Sequence, residues 1–283
     1  MADAATLIEA ATGRRPARLG PLSGGCIAEI YRVDFDDGDR LVAKLAGSEG
    51  DLGLEAYMLR YLAERSALPV PAVVHADDGL LLMEFVETAG PIDAAAERHA
   101  AELLAALHEV SAPAFGHERD TLIGPLHQPN PETASWLAFF RDRRLLHMAG
   151  VAHDAGRLPA ATLKRIERLA ARLGEWIEEP ARPSLVHGDV WGGNVLVKGG
   201  RIAAFIDPAI YHADPEIELA FSTLFSTFGE AFFARYDEIR GLGPGFFEVR
   251  RELYNLYPLL VHVRLFGGGY LGGVEAVLKK HGC

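Results

Sequence analysis

The stretch that most constrains this chain is Val186-His187-Gly188-Asp189-Val190-Trp191-Gly192-Gly193-Asn194, read together with Asp207. An apolar run, Val195-Leu196-Val197, follows Asn194, then a turn, Lys198-Gly199-Gly200-Arg201, then a second run from Ile202 to Ile206. Two short apolar runs around Gly-Gly read as a β-hairpin. With the turn centred on Gly199-Gly200, residue 194 pairs near 205 and Asp207 lies diagonally beyond. The hairpin thus returns Asp207 to the end that carries Asn194, and Asp189 sits at that same end. An isolated Asp-x4-Asn is ordinarily turn chemistry, which both residue types perform well. The hairpin and the carboxylate at its end argue for a site instead.

That grouping suits phosphoryl transfer, and its Asp-to-Asn spacing is that of a kinase catalytic loop. Mg²⁺ takes hard oxygen ligands, and one or two carboxylates beside a nucleotide's phosphates suffice. Asn194 offers a carbonyl oxygen and Asp207 a carboxylate. Asp189 is left to accept the proton of an attacking hydroxyl and to aim it. The expected cofactors are ATP and Mg²⁺.

The N-terminal part supplies a matching half. Helix over 4–12, strand, Gly-rich loop, strand, turn and strand follow one another up to Leu45. Gly24, Gly25 and Cys26 read as a loop whose backbone N–H groups suit phosphates, although Gly-Gly alone is more often an ordinary hairpin turn. Lys44, after Val42-Ala43, resembles a kinase strand lysine, and Glu55 on the helix over 50–65 is placed to pair with it and orient it. The alternative for Lys44 is an edge-strand lysine facing water. The strands around Val73–His75 and Leu80–Val86 complete a five-stranded antiparallel sheet. Backbone groups near Glu84 and Val86 are where an adenine edge is expected.

Beyond Gly90-Pro91 the texture turns helical. The expected helices are Ala94–Val110, Trp136–Met148, Thr162–Glu178, one from Glu216 through Phe228, and Glu248–Leu265 followed by Gly273–His281. Residues 111–131 read as a loop, His99 and His108 as core-edge or surface histidines, and Arg141-Asp142-Arg143-Arg144 as a solvated face from which one arginine could reach a substrate. The domains expected are 1–87, nucleotide-binding, and 88–283, catalytic and acceptor-binding. The 283 residues, 49% of them hydrophobic, are ample for a buried core. A net charge of −11 without a basic stripe argues against nucleic acid. No apolar run approaches membrane-spanning length. Cys26 and Cys283 make no disulfide framework, so a reducing cytoplasm is expected. Oxidation of Cys26 in an open loop, linking two copies, makes the expected state a monomer or a redox-dependent homodimer.

With both halves read, the chain resembles the protein-kinase-like superfamily and, within it, the fructosamine kinase (ketosamine kinase) family. Five segments carry the resemblance: Gly24-Gly25-Cys26-Ile27; Ile123 to Asn130 ahead of Trp136; His187 to Asn194 with Trp191; Asp207-Pro208-Ala209-Ile210-Tyr211; and Leu256-Tyr257-Pro258 with His262 and Phe266-Gly267-Gly268-Gly269-Tyr270. The resemblance implies an α+β, bilobal fold with a small antiparallel-sheet lobe bearing one main helix and a larger, mostly helical lobe. It implies ATP-dependent phosphorylation of the sugar 3-hydroxyl of ketoamines, either small molecules or glycated protein lysines, and so deglycation. Asp189 would be catalytic, Asn194 and Asp207 would hold metal, and Lys44 braced by Glu55 would meet phosphate. The acceptor sugar is expected beside Trp191, with Tyr211, Gln128 and His262 as polar neighbours; the alternative for Trp191 is a core anchor of the catalytic loop. Two positions depart from the pattern. Glu218 stands where the superfamily often has the aspartate that braces the catalytic loop, and Ala28 where the family often has a polar residue. Two other readings stay open: an aminoglycoside or other small-molecule phosphotransferase, and a nucleotide-binding pseudokinase or interaction module.

Overall fold

A computed structural model describes residues 3–22, 29–47 and 51–283. Gly24, Gly25 and Cys26, with the expectations attached to them, lie outside the described residues. Helix α1 (Ala4–Thr12) ends at Gly13 in the left-handed conformation. Strands β1 (Arg18–Pro21), β2 (Glu29–Asp34), β3 (Arg40–Leu45), β4 (Val73–Ala76) and β5 (Leu80–Glu84) form one antiparallel sheet in the order β1-β2-β3-β5-β4. Between β3 and β4 runs α2 (Leu52–Arg65), its first turn capped by the Asp51 side chain. Leu52, Ala56 and Leu59 of α2 pack with Leu81 and Met83 of β5, while Met58 and Leu62 join the main core. One helix is thus shared between the sheet and the rest of the protein, and this sets where Glu55 points.

The remainder is mainly helical. It comprises α3 (Ala94–Leu107), α4 (Trp136–Phe139), α5 (His147–Asp154), α6 (Ala160–Ala170), α7 (Glu216–Leu224), α8 (Glu230–Arg240), α9 (Arg251–Phe266) and α10 (Leu271–Lys280). Three short antiparallel pairs sit among them: β6 (Thr121–Ile123) with β7 (Leu126–Gln128), β8 (Ser184–Val186) with β11 (Tyr211–Ala213), and β9 (Val195–Lys198) with β10 (Arg201–Phe205). A π-helical segment, Phe140–Leu146, joins α4 to α5. Among the described residues no helix is long and apolar enough to cross a membrane.

Three expectations are corrected. The segment 111–131 is not all loop, because it contains the β6–β7 hairpin. The expected helix from Glu216 through Phe228 stops at Leu224, and α8 begins after Gly229. The run at 141–144 is not uniformly solvated, since Arg144 is completely buried.

Candidate active site

The β9–β10 hairpin builds the centre. Gly199 and Gly200 both have positive φ, 60° and 72°, as a two-residue type I′ turn demands. The register is Val195 against Phe205, one residue from the expected pairing of 194 near 205, because a bulge between Ile202 and Ala204 absorbs a position. Asn194 still reaches this end, where its carbonyl accepts the Ile206 N–H at 3.0 Å. Asp207 follows with φ of 54°, a left-handed conformation that aspartate tolerates better than most residues.

The loop from β8 to Asn194 is held from three sides. The His187 carbonyl accepts from Ala209 N at 2.7 Å. Gly188 has φ of 87°, and a Cβ placed there would stand 2.1 Å from the Ala209 carbonyl oxygen, so only glycine fits. Asn194 Nδ2 donates to the Asp189 carbonyl at 2.9 Å and to Asp189 Oδ2 at 2.7 Å, which locks the two side chains together. Burial, reinforced by the nearby Asp207 carboxylate, pushes the Asp189 carboxyl up to about 8, against hydrogen bonds from Asn194 and Trp191 that pull it down. A proton acceptor with its pKa near the working pH is suited to general-base duty.

Glu218 is the third support. Its Oε1 accepts the Gly188 N–H at 2.7 Å and its Oε2 meets His108 Nε2 at 2.8 Å. His108 Nδ1 meets the Tyr236 hydroxyl at 2.7 Å. The extra methylene relative to aspartate lets one carboxylate reach both the loop and α3. His108, expected at the core edge or surface, is fully buried, and nothing local in the sequence points to this contact, which spans 110 positions. Glu218→Asp is expected to reach only one partner and Glu218→Ala neither. The alanine variant leaves a buried N–H and an imidazole unsatisfied, at about 1–3 kcal/mol. Denaturant unfolding and kcat, measured together, check this, and both should fall.

Lys44 lies on β3, between β2 and β5 and therefore not on an edge strand, and it is buried. Its Nζ donates to Glu55 Oε1 at 2.6 Å and to Asp207 Oδ1. Burial disfavours the ammonium, but the two carboxylates outweigh that and raise its pKa. The same lysine therefore ties the sheet, α2 and the end of β10 together.

These groups border a cleft of about 230 Å³. Lys44, Glu55, Asp189, Asn194 and Asp207 line it, and so do Trp191, Phe221, Tyr257, His262 and Phe266. Trp191 is 39% exposed, so it is not a core anchor. Its ring lies across Gly193, where a Cβ would come within 2.3 Å of a ring carbon. Phe225 bridges Trp191 and His262, with ring centroids 6.1 and 4.9 Å away. Tyr211 borders the cleft although nearly fully buried.

Other expected site residues stand elsewhere. Gln128 is not on the cleft. It is buried, its Nε2 donating to Thr121 Oγ1 and the Ala209 carbonyl and its Oε1 accepting from the Tyr257 hydroxyl, so its amide is spent on structure. Glu84 and Val86 are not among the cleft-lining residues, and the Glu84 N–H is committed to the Ala72 carbonyl at 2.9 Å.

A five-stranded sheet, a lysine–glutamate pair and an Asp/Asn/Asp centre define a protein-kinase-like phosphotransferase. The same fold occurs in an aminoglycoside phosphotransferase solved with ADP and hygromycin B, at TM-score 0.71 and 18% identity over all of both chains. A candidate fructosamine-3-kinase from Thermobifida fusca superposes at TM-score 0.86 with 31% identity, over 98% of this chain and 97% of that one. A family model, fructosamine kinase, matches residues 1–281. A probable ketoamine kinase of Synechocystis sp. is 35% identical over 269 residues, covering 92% of this chain and 88% of the relative. The chloroplastic protein-ribulosamine 3-kinase of Arabidopsis thaliana is 29% identical over 93% of this chain and 82% of its own length. The chain belongs to the fructosamine kinase family of ATP-dependent phosphotransferases.

Proposed function

We propose that this protein transfers the γ-phosphoryl group of ATP to the sugar 3-hydroxyl of ketoamines, fructosamine or ribulosamine adducts. The observation that carries the reading is one cleft lined both by Lys44, Asp189, Asn194 and Asp207 and by the aromatic side chains Trp191, Phe221 and Phe266. Asp189 accepts the proton of the acceptor hydroxyl and aims its oxygen. Lys44, held by Glu55, meets the nucleotide phosphates. Asn194 and Asp207 fit Mg²⁺. Asn194 spends only Nδ2 on Asp189, and Asp207 gives only Oδ1 to Lys44, so each keeps an oxygen without a partner among the described residues. These two oxygens would hold Mg²⁺, which would supply counter-charge for the nucleotide phosphates. In this reading residues 1–87 carry the nucleotide and residues 88–283 the acceptor and catalytic loop. The phosphorylated adduct is unstable and releases its amine, so the role is deglycation of small amines or protein lysines, in a reducing cytoplasm.

The test is ATP consumption with Mg²⁺ against ribulosyl-lysine, fructosyl-lysine, aminoglycosides, choline and homoserine. Turnover confined to the ketoamines supports the reading, and turnover of an aminoglycoside alone would replace it. An aromatic face packs well on the C–H face of a sugar. Trp191→Phe is therefore expected to raise KM for the ketoamine about 10-fold and leave KM for ATP unchanged. An equal rise in both constants would remove Trp191 from the acceptor.

A further inference from the structure

Arg144 is the feature that the chemistry above leaves unused. It lies in the π-helical segment between α4 and α5, is fully buried, and pairs with no carboxylate among the described residues. Buried charges are usually paired or absent. Here the guanidinium is held by neutral groups. Nη1 donates to the carbonyls of Pro129 at 2.9 Å and Arg143 at 3.0 Å, and Nη2 donates to Asn130 Oδ1 at 2.6 Å. Its carbon stands 3.9 Å from the Tyr211 ring centroid, 4.6 Å from Phe139 and 5.5 Å from Tyr257. Nε has no partner.

Two of these contacts lead to the cleft. Tyr211 borders it and is joined to Asp207 by only three residues. Pro129 and Asn130 follow the β6–β7 hairpin, whose tip, Leu122 to Pro125, also borders the cleft. Arg144 thus clamps the base of one wall and backs the ring of another. π-helical insertions of this kind are frequent at functional sites.

We propose that Arg144 is a positioning residue for the acceptor: its fork fixes the hairpin against Tyr211 and so sets how the acceptor hydroxyl is presented to Asp189. This rests on reading the cleft as the acceptor site of a phosphotransferase. A flat, bidentate donor with an aromatic-stacking face is a role lysine does not fill.

The experiment compares Arg144→Lys and Arg144→Met with wild type. Arg144→Lys keeps charge without the fork, and Arg144→Met keeps an apolar stem of similar length without charge or fork. Both should raise the acceptor KM about 10-fold or more and leave the ATP KM within about twofold, since ångström-scale misplacement of a bound acceptor is costly. Asn130→Ala, which removes one anchor and leaves the guanidinium in place, should shift the acceptor KM in the same direction by less. Equal changes in both constants, or a lowered Tm with both constants unchanged, would overturn the proposal. If the Arg144 variants do not fold, an unaltered acceptor KM in Asn130→Ala overturns it. The wild-type acceptor panel tests the activity, and the variant ratios, measured with whichever acceptor the wild type uses, test Arg144, so the two fail separately.

Discussion

Asp189→Asn is expected to bind nucleotide as wild type does and to lose turnover by about 10²–10⁴-fold, the usual contribution of a general base. The substitution is nearly isosteric. The asparagine oxygen can still accept from Asn194 Nδ2, as Asp189 Oδ2 does at 2.7 Å, so the loop geometry survives. What disappears is the basic oxygen. The wild-type carboxyl, raised by burial and by Asp207, is well matched to take a proton from an alcohol near neutral pH. Calorimetric titration with nucleotide and single-turnover phosphorylation separate the two effects. Near-wild-type turnover would remove Asp189 from the role of base, while loss of nucleotide binding would show that its part is structural.

The legible part of this site was the part written in short sequence distances. The β9–β10 hairpin is local, and its Gly-Gly turn and flanking apolar runs sufficed to bring Asn194 and Asp207 to one end. Lys44 and Glu55 are eleven positions apart, one strand and one helix, and they meet at 2.6 Å. What could not be read depends on distant partners. His108 reads as one more helix histidine until Glu218 and Tyr236 arrive from α7 and α8. Arg144 sits beside Arg143, which is exposed; any helix sends neighbours to different sides, and which of the two turns inward depends on partners from distant segments, Pro129, Asn130 and Tyr211. Gln128 looks like a polar neighbour for a sugar, yet its partners Thr121, Ala209 and Tyr257 come from three separate segments and absorb its amide. Adenine contacts through backbone groups leave no mark on side-chain choice, so Glu84 and Val86 rested on the strand's end alone.

Asp207→Ala should cost catalysis at least as much as Asp189→Asn, because in the proposed reading the carboxylate has two duties. It offers the charged oxygen for Mg²⁺, and it shares Lys44 with Glu55. Removing it leaves Lys44 paired with Glu55 alone, so the buried ammonium keeps a counter-charge and the sheet keeps its tie to α2. The loss therefore falls on phosphate charge, where a metal bridge is worth several kcal/mol of transition-state stabilisation, or about 10³-fold or more in rate. Alanine at φ of 54° adds backbone strain of its own. Asp207→Asn is the control, since asparagine accepts that conformation and removes the charge while keeping one acceptor oxygen. It should need more Mg²⁺ for half-maximal turnover. Asn194→Ala should weaken the metal less than Asp207→Ala, because a neutral carbonyl is the poorer ligand of the two. Titrating Mg²⁺ at saturating ATP in all three variants orders them, with Asp207→Ala the most impaired. An unchanged metal requirement in Asp207→Asn and Asn194→Ala would mean that the ion is held elsewhere, and that the oxygens at the end of the β9–β10 hairpin serve the loop rather than the metal.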